Sequence, residues 1–397
     1  METLDYPTWS GGLKRRAAGR RTPLGGTLEL TRRCNNRCRH CYNNLPAADP
    51  AALASEMGTA EVCRLLDELA SAGCVWLLLT GGEILLRPDF LEIYDRAKEK
   101  GFLVTLFTNA TLLTSETADH LARRRPFSIE VTLYGATRAT YEAVTGVSGS
   151  VGRCLRGVDR LRERGLPLKL KSTVLTVNRH EVWEMKRMAE EDLGLPFRFD
   201  ALLNARCDRS QAPLLVRLTP EEVVALDLAD PEREAALREI AGGIGALRVP
   251  RVGRKSIYAC GGGVHSFAVD PCGRLRLCAL TPGEGYDLRR CSFSEGWERF
   301  LVRQREAQLD PASKCARCAL NAFCGMCPAN GDLECGDPRQ PVDFLCQVAH
   351  LRACALGVDV PRHGECDYCR GGARFAQIRG AAQRVAQGAG IRVGRAC

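Results

Sequence analysis

The segment CVWLLLTGG, residues 74–82, is a near-continuous apolar run that ends in two glycines. Such a run, without alternating polar positions, is typical of a parallel strand that is covered on both faces. The segment before it, TAEVCRLLDELASAG (59–73), has the apolar periodicity of an amphipathic helix and ends at Gly73. A helix followed directly by a buried strand predicts an α/β fold.

The same alternation of strand and helix patterns extends in both directions from this segment. The predicted strands are residues 27–33, 74–82, 102–110, 127–135, 166–176 and 196–204. The predicted helices are residues 59–73, 89–101, 115–125 and 150–165, and Asn178 is predicted to cap a further helix with Glu181 at the capping-box position. Six βα-type units without a seventh or eighth predict an open, partial (β/α)6 barrel. The active site of such a barrel lies at the carboxyl ends of its strands.

The remaining chain divides by composition into four further regions. Thr219-Pro220 is a good helix start, and after residue 255 cysteines become dense while regular periodicity fades. Dense cysteines without regular apolar periodicity predict a small domain that is stabilised by metal rather than by a large hydrophobic core. The predicted regions are a basic N-terminal arm (1–26), the barrel (27–204), a helical connector (205–254), a small cysteine-rich domain that binds iron–sulfur clusters or zinc (255–355) and an Arg-, Gly- and Ala-rich tail (356–397), which we expect to be partly disordered.

The bulk composition narrows the classes of function. The chain has 397 residues, a net charge of +9 and no apolar run long enough to span a bilayer. The basic N-terminus lacks a hydrophobic signal core, so we expect a cytoplasmic protein whose first residues form a solvated arm. Basic residues are not concentrated with aromatics, which disfavours nucleic-acid binding. The 21 cysteines of a protein in a reducing compartment indicate metal binding rather than disulfides.

Three of these cysteines lie in eight residues, CNNRCRHC (34–41), just after the first predicted strand. Thiolates select iron–sulfur clusters or zinc. Three ligands on a [4Fe–4S] cluster leave one iron open, whereas a structural zinc site is normally closed by four. His40 is the alternative fourth ligand, for zinc.

The segment LTRRCNNRCRHCY resembles the cluster loop of the radical S-adenosylmethionine (SAM) superfamily, although His40 replaces the more usual aromatic residue. The resemblance implies that Cys34, Cys38 and Cys41 hold a catalytic [4Fe–4S] cluster whose open iron binds SAM. It further implies reductive cleavage of SAM to a 5′-deoxyadenosyl radical that abstracts hydrogen from a substrate. The cofactor carries this chemistry, while the protein positions and shields it.

Other motifs at predicted strand ends support the resemblance. Gly81-Gly82-Glu83 follows the second strand, and the family pattern implies that this segment receives the SAM amino group. Thr108-Asn109 resembles a family TNG segment, and Thr132 stands where relatives carry Ser. Both are candidate SAM contacts, and ordinary strand-end caps are the alternative.

The cysteine pattern of the C-terminal half resembles the SPASM domain of peptide-modifying radical SAM enzymes. The resemblance implies two auxiliary [4Fe–4S] clusters that transfer electrons or bind substrate, although one spacing, Cys324-x2-Cys327, is a residue shorter than usual. The implied ligands are Cys260, Cys278 and Cys327 for the first cluster, and Cys315, Cys318, Cys324 and Cys346 for the second. The first cluster lacks an evident fourth ligand. Cys272 is a candidate and an open site is the alternative, while two zinc sites remain the alternative to both clusters.

Some cysteines fall outside this pattern. Cys63, Cys74 and Cys154 lie on core-like faces and are interpreted as small hydrophobic residues. Cys366 and Cys369, with His363 before them, are a candidate weak metal site, but a lone pair in a polar tail is more often incidental. Cys291, Cys335 and Cys354 receive no role.

The resemblance implies a peptide substrate, so maturation of a ribosomally made peptide is the leading hypothesis. A sulfatase-maturing enzyme is a second hypothesis, but Leu277 and Ala279 flank Cys278 where that class carries an acid. A binding protein without catalysis is a third, which the intact cluster loop disfavours. The expected partners are a precursor peptide, an electron donor such as flavodoxin or ferredoxin, and a separate leader-binding protein, because about 26 residues before the first strand are too few to fold alone.

Overall fold

The computed structural model of the chain describes residues 5–246, 256–359 and 362–390. Its strands are β1 Gly25–Glu29, β2 Arg33–Cys34, β3 Leu45–Pro46, β4 Trp76–Thr80, β5 Leu103–Thr108, β6 Ser128–Thr132, β7 Leu168–Thr173, β8 Phe197–Asp200, β9 Ser266–Val269, β10 Arg274–Arg276 and β11 Tyr286–Asp287. Its α-helices are α1 Tyr6–Ala17, α2 Pro50–Ser55, α3 Thr59–Ser71, α4 Phe90–Glu99, α5 Ser115–Arg123, α6 Arg138–Thr145, α7 Ser150–Glu163, α8 Val182–Arg187, α9 Pro220–Ala229, α10 Pro231–Ala246, α11 Phe293–Glu295, α12 Leu301–Arg305, α13 Lys314–Arg317, α14 Pro328–Cys335, α15 Asp343–Ala355 and α16 Phe375–Gly388.

The main sheet is mostly parallel and has the order β11-β10-β9-β1-β4-β5-β6-β7-β8. Its six strands from β1 to β8 correspond to the six predicted strands, so the partial α/β barrel is confirmed. The observed strands are shorter than predicted because their ends bend into the loops that carry the site. Apolar residues of β4 and of helix α3, such as Leu77 and Leu66, are fully buried in the same hydrophobic core.

The cysteine-rich region continues the barrel sheet, which the sequence did not predict. Strand β9 pairs in parallel with β1, with Gly25 opposite Ser266, and β10 and β11 follow in antiparallel order. These strands cover the backbone groups that an edge at β1 would leave unpaired. The two predicted domains therefore share one sheet, and the boundary predicted at residues 254 and 255 lies outside the described residues.

Both chain ends differ from prediction. Residues 6–17 form helix α1 rather than a solvated arm, and Trp9 packs against Trp76 with ring centroids 5.8 Å apart. The expectation of a partly disordered tail is wrong for residues 362–390. Helix α16 buries Ile378 and Ala382 in the core that also contains α15.

The role predicted for Asn178 and Glu181 is also wrong. The Asn178 side chain makes no cap bond, and it instead accepts from Leu175 N and donates to the Tyr134 carbonyl. Glu181 accepts bonds from Thr137. Through these hydrogen bonds both residues stabilise the loop that follows β6. Thr219 does cap α9 with a capping box, as predicted.

Across the described parts of the chain, none of the helices combines the length and the apolar character that crossing a bilayer requires.

Candidate functional site

A cavity of about 920 Å³ lies at the carboxyl ends of the parallel strands. Side chains of successive strands point into it, including Thr27, Leu78, Phe107, Thr132 and Lys171. The predicted site residues that line it are Cys34, Cys38, Cys41, Gly81, Gly82, Thr108, Asn109, Thr132 and Cys278. The topology of the barrel therefore brings together motifs that are up to 244 residues apart in the sequence.

The three-cysteine loop forms one wall of this cavity. The backbone N–H of Asn36 donates to Cys34 Sγ at 3.4 Å, and the Asn109 amide lies 3.7 Å from the same sulfur. Burial raises the pKa of the Cys34 thiol to about 12, and it also raises the pKa of Cys38 and Cys41. Thiolates in this loop therefore require bound cations, which fits ligation of a metal cluster with release of protons.

Polar atoms beside the three thiols are buried without a partner among the described residues. Both side-chain atoms of Asn36, Nδ2 and Oδ1, and Nδ1 of His40 are in this state. The His40 ring lies 5.0 Å from that of Tyr134, and burial lowers its pKa to about 4, so it is neutral at pH 7. Buried polar groups are normally hydrogen-bonded, so these atoms fit a polar ligand next to the cluster loop.

The two glycines after β4 are required by the protein backbone itself. A Cβ on Gly81 would lie 2.3 Å from the Thr31 carbonyl oxygen, and one on Gly82 would lie 2.2 Å from that of Arg33. The glycines thus let the turn pack directly against the chain that leads into the cluster loop. The family pattern implied that this segment contacts SAM, and the structure shows in addition that both glycines are needed for this contact within the protein.

Glu83 lies beneath the cavity and is fully buried. Its carboxylate accepts bonds from Thr108 Oγ1 at 2.6 Å, Asn109 N at 2.7 Å and Leu85 N at 3.1 Å. Burial raises the pKa of the Glu83 carboxyl, and these bonds oppose that rise. Glu83 therefore ties the end of β4 to the end of β5, which positions Asn109 against the cluster loop.

Another wall of the cavity, named here the cationic wall, carries three basic side chains, a feature that the sequence reasoning missed. Lys171, Arg198 and Arg233 line the cavity together with Asp200. Glu130 bridges two of these cations, at 3.3 Å from Lys171 Nζ and 2.5 Å from Arg198 Nη2. The strand pattern LKLKST marks alternate faces, but it does not reveal that the face of Lys171 borders the cavity.

We expect Lys171 to make stability depend on pH. Burial lowers its pKa from 10.5 to about 7, so folding favours the neutral amine. The contribution of Lys171 to the free energy of unfolding is therefore fully present above pH 10.5 and is lost as the pH falls through 7. Between these values the free energy of unfolding rises with pH by about 1.4 kcal/mol per pH unit. Thermal unfolding of anaerobic holoprotein between pH 7 and 10 should show that Lys171→Met flattens the rise. Lys169→Met, on an exposed position of the same strand, should retain it, and equal slopes in both variants would contradict the assignment.

The predicted auxiliary-cluster cysteines form a second group. A cavity of about 300 Å³ is lined by six of the seven, namely Cys260, Cys315, Cys318, Cys324, Cys327 and Cys346. Burial raises the pKa of Cys327, and the nearby Cys278 and Cys260 raise it further. Burial also raises the pKa of Cys346, and its neighbours Cys324, Cys315 and Cys318 add to that rise. Cys278 faces the main cavity, so the first predicted set borders the space next to the cluster loop.

Cys272 does not join the group for which it was a candidate. It lies in the turn between β9 and β10 and lines two surface hollows that none of the predicted ligands borders. Cys207 instead lies beside the Cys278 turn, with its Sγ 3.7 Å from the Ala279 carbonyl oxygen. It escaped the sequence reasoning because it stands alone in the connector.

Three other polar residues, Tyr134, Glu284 and Asp287, lie in two different places. Tyr134 lines the main cavity. Glu284 and Asp287 line a surface hollow with Cys272. Cys74 and Cys154 are buried in the apolar core, as predicted.

Known proteins resemble this chain in sequence. The family model described as "Radical SAM superfamily" matches residues 28–189. The AdoMet-dependent heme synthase of Methanosarcina barkeri is 29% identical, over 78% of this chain and 92% of that protein. The subtilosin biosynthesis protein AlbA of Bacillus subtilis is 25% identical, over 78% of this chain and 68% of that protein.

The fold is shared with a solved structure. Streptococcus suis SuiB bound to the precursor peptide SuiA matches with a TM-score of 0.64 and 16% sequence identity. The match covers 87% of this chain and 82% of that chain. The chain therefore contains a radical SAM domain at residues 28–189, which is followed by a SPASM-like cysteine-rich C-terminal region.

Proposed function

We propose that this enzyme matures a ribosomally made peptide by hydrogen abstraction. The observation that carries the proposal is the shared cavity, which is lined both by the three-cysteine loop and by Lys171, Arg198 and Arg233. When bound, a [4Fe–4S] cluster and SAM supply the 5′-deoxyadenosyl radical. The protein's part is to hold that group, to orient a substrate against it and to exclude water.

Each wall of the cavity has a part in this proposal. Cys34, Cys38 and Cys41 are the proposed cluster ligands, and the unpartnered amide of Asn36 is a proposed SAM contact. Gly81 and Gly82 offer backbone carbonyls and Thr132 offers a hydroxyl, whereas the hydroxyl of Thr108 already donates to Glu83. Glu83 is proposed as a positioning residue, since its oxygens already accept protein hydrogen bonds.

The two arginines of the cationic wall suit a substrate that carries carboxylates, such as an acidic peptide segment, and a bound carboxylate would favour the charged form of Lys171. Cys278 borders the same cavity. We place an auxiliary cluster on Cys260, Cys278 and Cys327 and a second on Cys315, Cys318, Cys324 and Cys346. A cluster held by the first set would border the proposed substrate cavity at Cys278, which suits electron transfer from a substrate radical. The likeness to AlbA, a bacteriocin biosynthesis protein, supports a peptide substrate.

A carboxylated iron porphyrin is the second candidate substrate. The likeness to a heme synthase, which extends over 92% of that protein, favours it. Its propionate groups would use the same cationic wall.

One experiment separates the two substrates. Reconstituted enzyme, SAM and dithionite are mixed either with a perdeuterated short peptide encoded beside the gene or with iron coproporphyrin III. Deuterium in 5′-deoxyadenosine, with a matching mass change in the peptide, is the expected result. Heme formation from the porphyrin without deuterium transfer from the peptide would overturn the peptide proposal.

A further inference from the structure

Four metal-binding side chains meet beside the auxiliary cysteines, and three of them, His350, His363 and Cys366, line the same cavity as those cysteines. They are His350 from helix α15 and His363, Cys366 and Cys369 from the segment before α16, and all four residues are buried. Their ligand atoms lie within 4.8 Å of one another. The sequence pattern suggested only that Cys366 and Cys369 are an incidental pair in the tail. It did not include His350, which lies 13 residues before His363 in the sequence and belongs to a helix.

The separations match those around a single tetrahedral ion. His350 Nε2 lies 3.5 Å from both Cys366 Sγ and Cys369 Sγ, and His363 Nδ1 lies 3.2 Å from Cys369 Sγ. Zn–S bonds of about 2.3 Å and Zn–N bonds of about 2.0–2.1 Å require S···N separations of about 3.6 Å in a tetrahedron. The observed S···N separations are close to this value, and a small movement of the side chains would bring them to it.

The same distances argue against a binuclear cluster. A Rieske-type [2Fe–2S] centre also uses two His and two Cys, but each pair binds a different iron. His and Cys ligand atoms would then lie on opposite sides of the cluster, which does not fit separations of 3.2–3.5 Å. Two thiolates and two imidazoles around one point are the ligand set of structural zinc.

The ring of His350 is already oriented for this role. Its Nδ1 lies 2.7 Å from the Cys346 carbonyl oxygen, so the N–H at Nδ1 donates there and Nε2 keeps its lone pair. A metal-bound histidine typically donates its other ring N–H to such a carbonyl. The Nε2 lone pair faces the sulfur atoms of Cys366 and Cys369.

We propose that His350, His363, Cys366 and Cys369 bind one zinc ion. With four protein ligands the site is closed, so its role is structural rather than catalytic. The ion would join the segment at residues 363–369 to helix α15, against which α16 packs. This zinc is additional to the iron–sulfur clusters and does not depend on the identity of the substrate.

The site also contacts two proposed ligands of the second auxiliary cluster. His350 bonds to the backbone of Cys346, and the His363 side chain hydrogen-bonds Cys318. Hydrogen bonds to cluster sulfurs tune reduction potential. Zinc at this site would therefore support the geometry of the neighbouring cluster.

The test is metal analysis of the full chain purified without oxygen from zinc-supplemented cells. We expect one zinc per chain beside the iron, and at least about a tenfold loss of zinc in the Cys366→Ser/Cys369→Ser variant. The matched control, Cys291→Ser/Cys335→Ser, should keep its zinc. Native protein that lacks zinc, or that holds iron lost only in the Cys366→Ser/Cys369→Ser variant, would overturn the proposal.

Two further measurements apply if that variant fails to fold. His363→Cys retains four ligands and should keep zinc. Native protein prepared with Co²⁺ should show tetrahedral d–d bands and thiolate-to-cobalt absorption, and His363→Cys should shift both. Octahedral cobalt spectra, or a Cys366–Cys369 disulfide in the anaerobic protein, would contradict the site.

Discussion

Replacing Cys34, Cys38 and Cys41 together by Ala should abolish SAM cleavage. Loss of partners that merely support metal ligands costs 10–100-fold, so we expect loss of the ligands themselves to reduce 5′-deoxyadenosine formation by about 100-fold or more. Iron should fall by about four atoms per chain, from about twelve in the fully reconstituted protein. The measurements are iron and sulfide content, and nucleoside formed with dithionite and SAM.

The matched control replaces three cysteines that have no proposed role, Cys63, Cys291 and Cys335. It removes the same number of thiols, none of which is fully buried. Iron content and nucleoside formation should stay at native levels. Native SAM cleavage by the Cys34, Cys38 and Cys41 variant, or zinc in place of iron in the native protein, would refute the assignment of this loop.

The barrel was predictable because its strands and helices are local patterns. The buried run at residues 74–82 and its neighbours indicate parallel strands without reference to the rest of the chain. The pairing of β1 with β9 joins Gly25 to Ser266, and no local pattern reports a partner 241 positions away. Short strands such as β9, with four residues between glycine-rich segments, are also weak signals.

The candidate site was predictable where its chemistry is concentrated in short motifs. Cys34, Cys38 and Cys41 fall in one loop, and the glycines at 81 and 82 end one strand. Lys171 and His350 were missed because each is a single residue in an ordinary strand or helix, and only the tertiary fold gives it neighbours. Glu83 was assigned to a ligand because its protein donors belong to the end of the next strand.

Replacing Cys324 and Cys346 by Ala should remove one auxiliary cluster and loosen the C-terminal region. Both thiols line the second cavity, and Cys346 lies on α15, the helix that packs against α9 and α16. We expect a loss of about four irons per chain. SAM cleavage without substrate should be retained within about twofold, because these two cysteines line a different cavity from the one that the cluster loop lines. Limited proteolysis should cleave the part of the chain that follows residue 313 earlier in this variant than in the native protein.

Cys354→Ala gives this last prediction its control. Cys354 is 4% exposed and lies two turns after Cys346 on the same helix, so its replacement also deletes a buried sulfur. Packing loss alone would lower the unfolding temperature of both variants while leaving iron unchanged. Because a structural metal contributes directly to folding free energy, loss of a cluster should instead couple a fall in iron to a larger fall in unfolding temperature. Equal iron in the two variants would show that Cys324 and Cys346 only pack the helix, and the second set of cluster ligands would have to be reassigned.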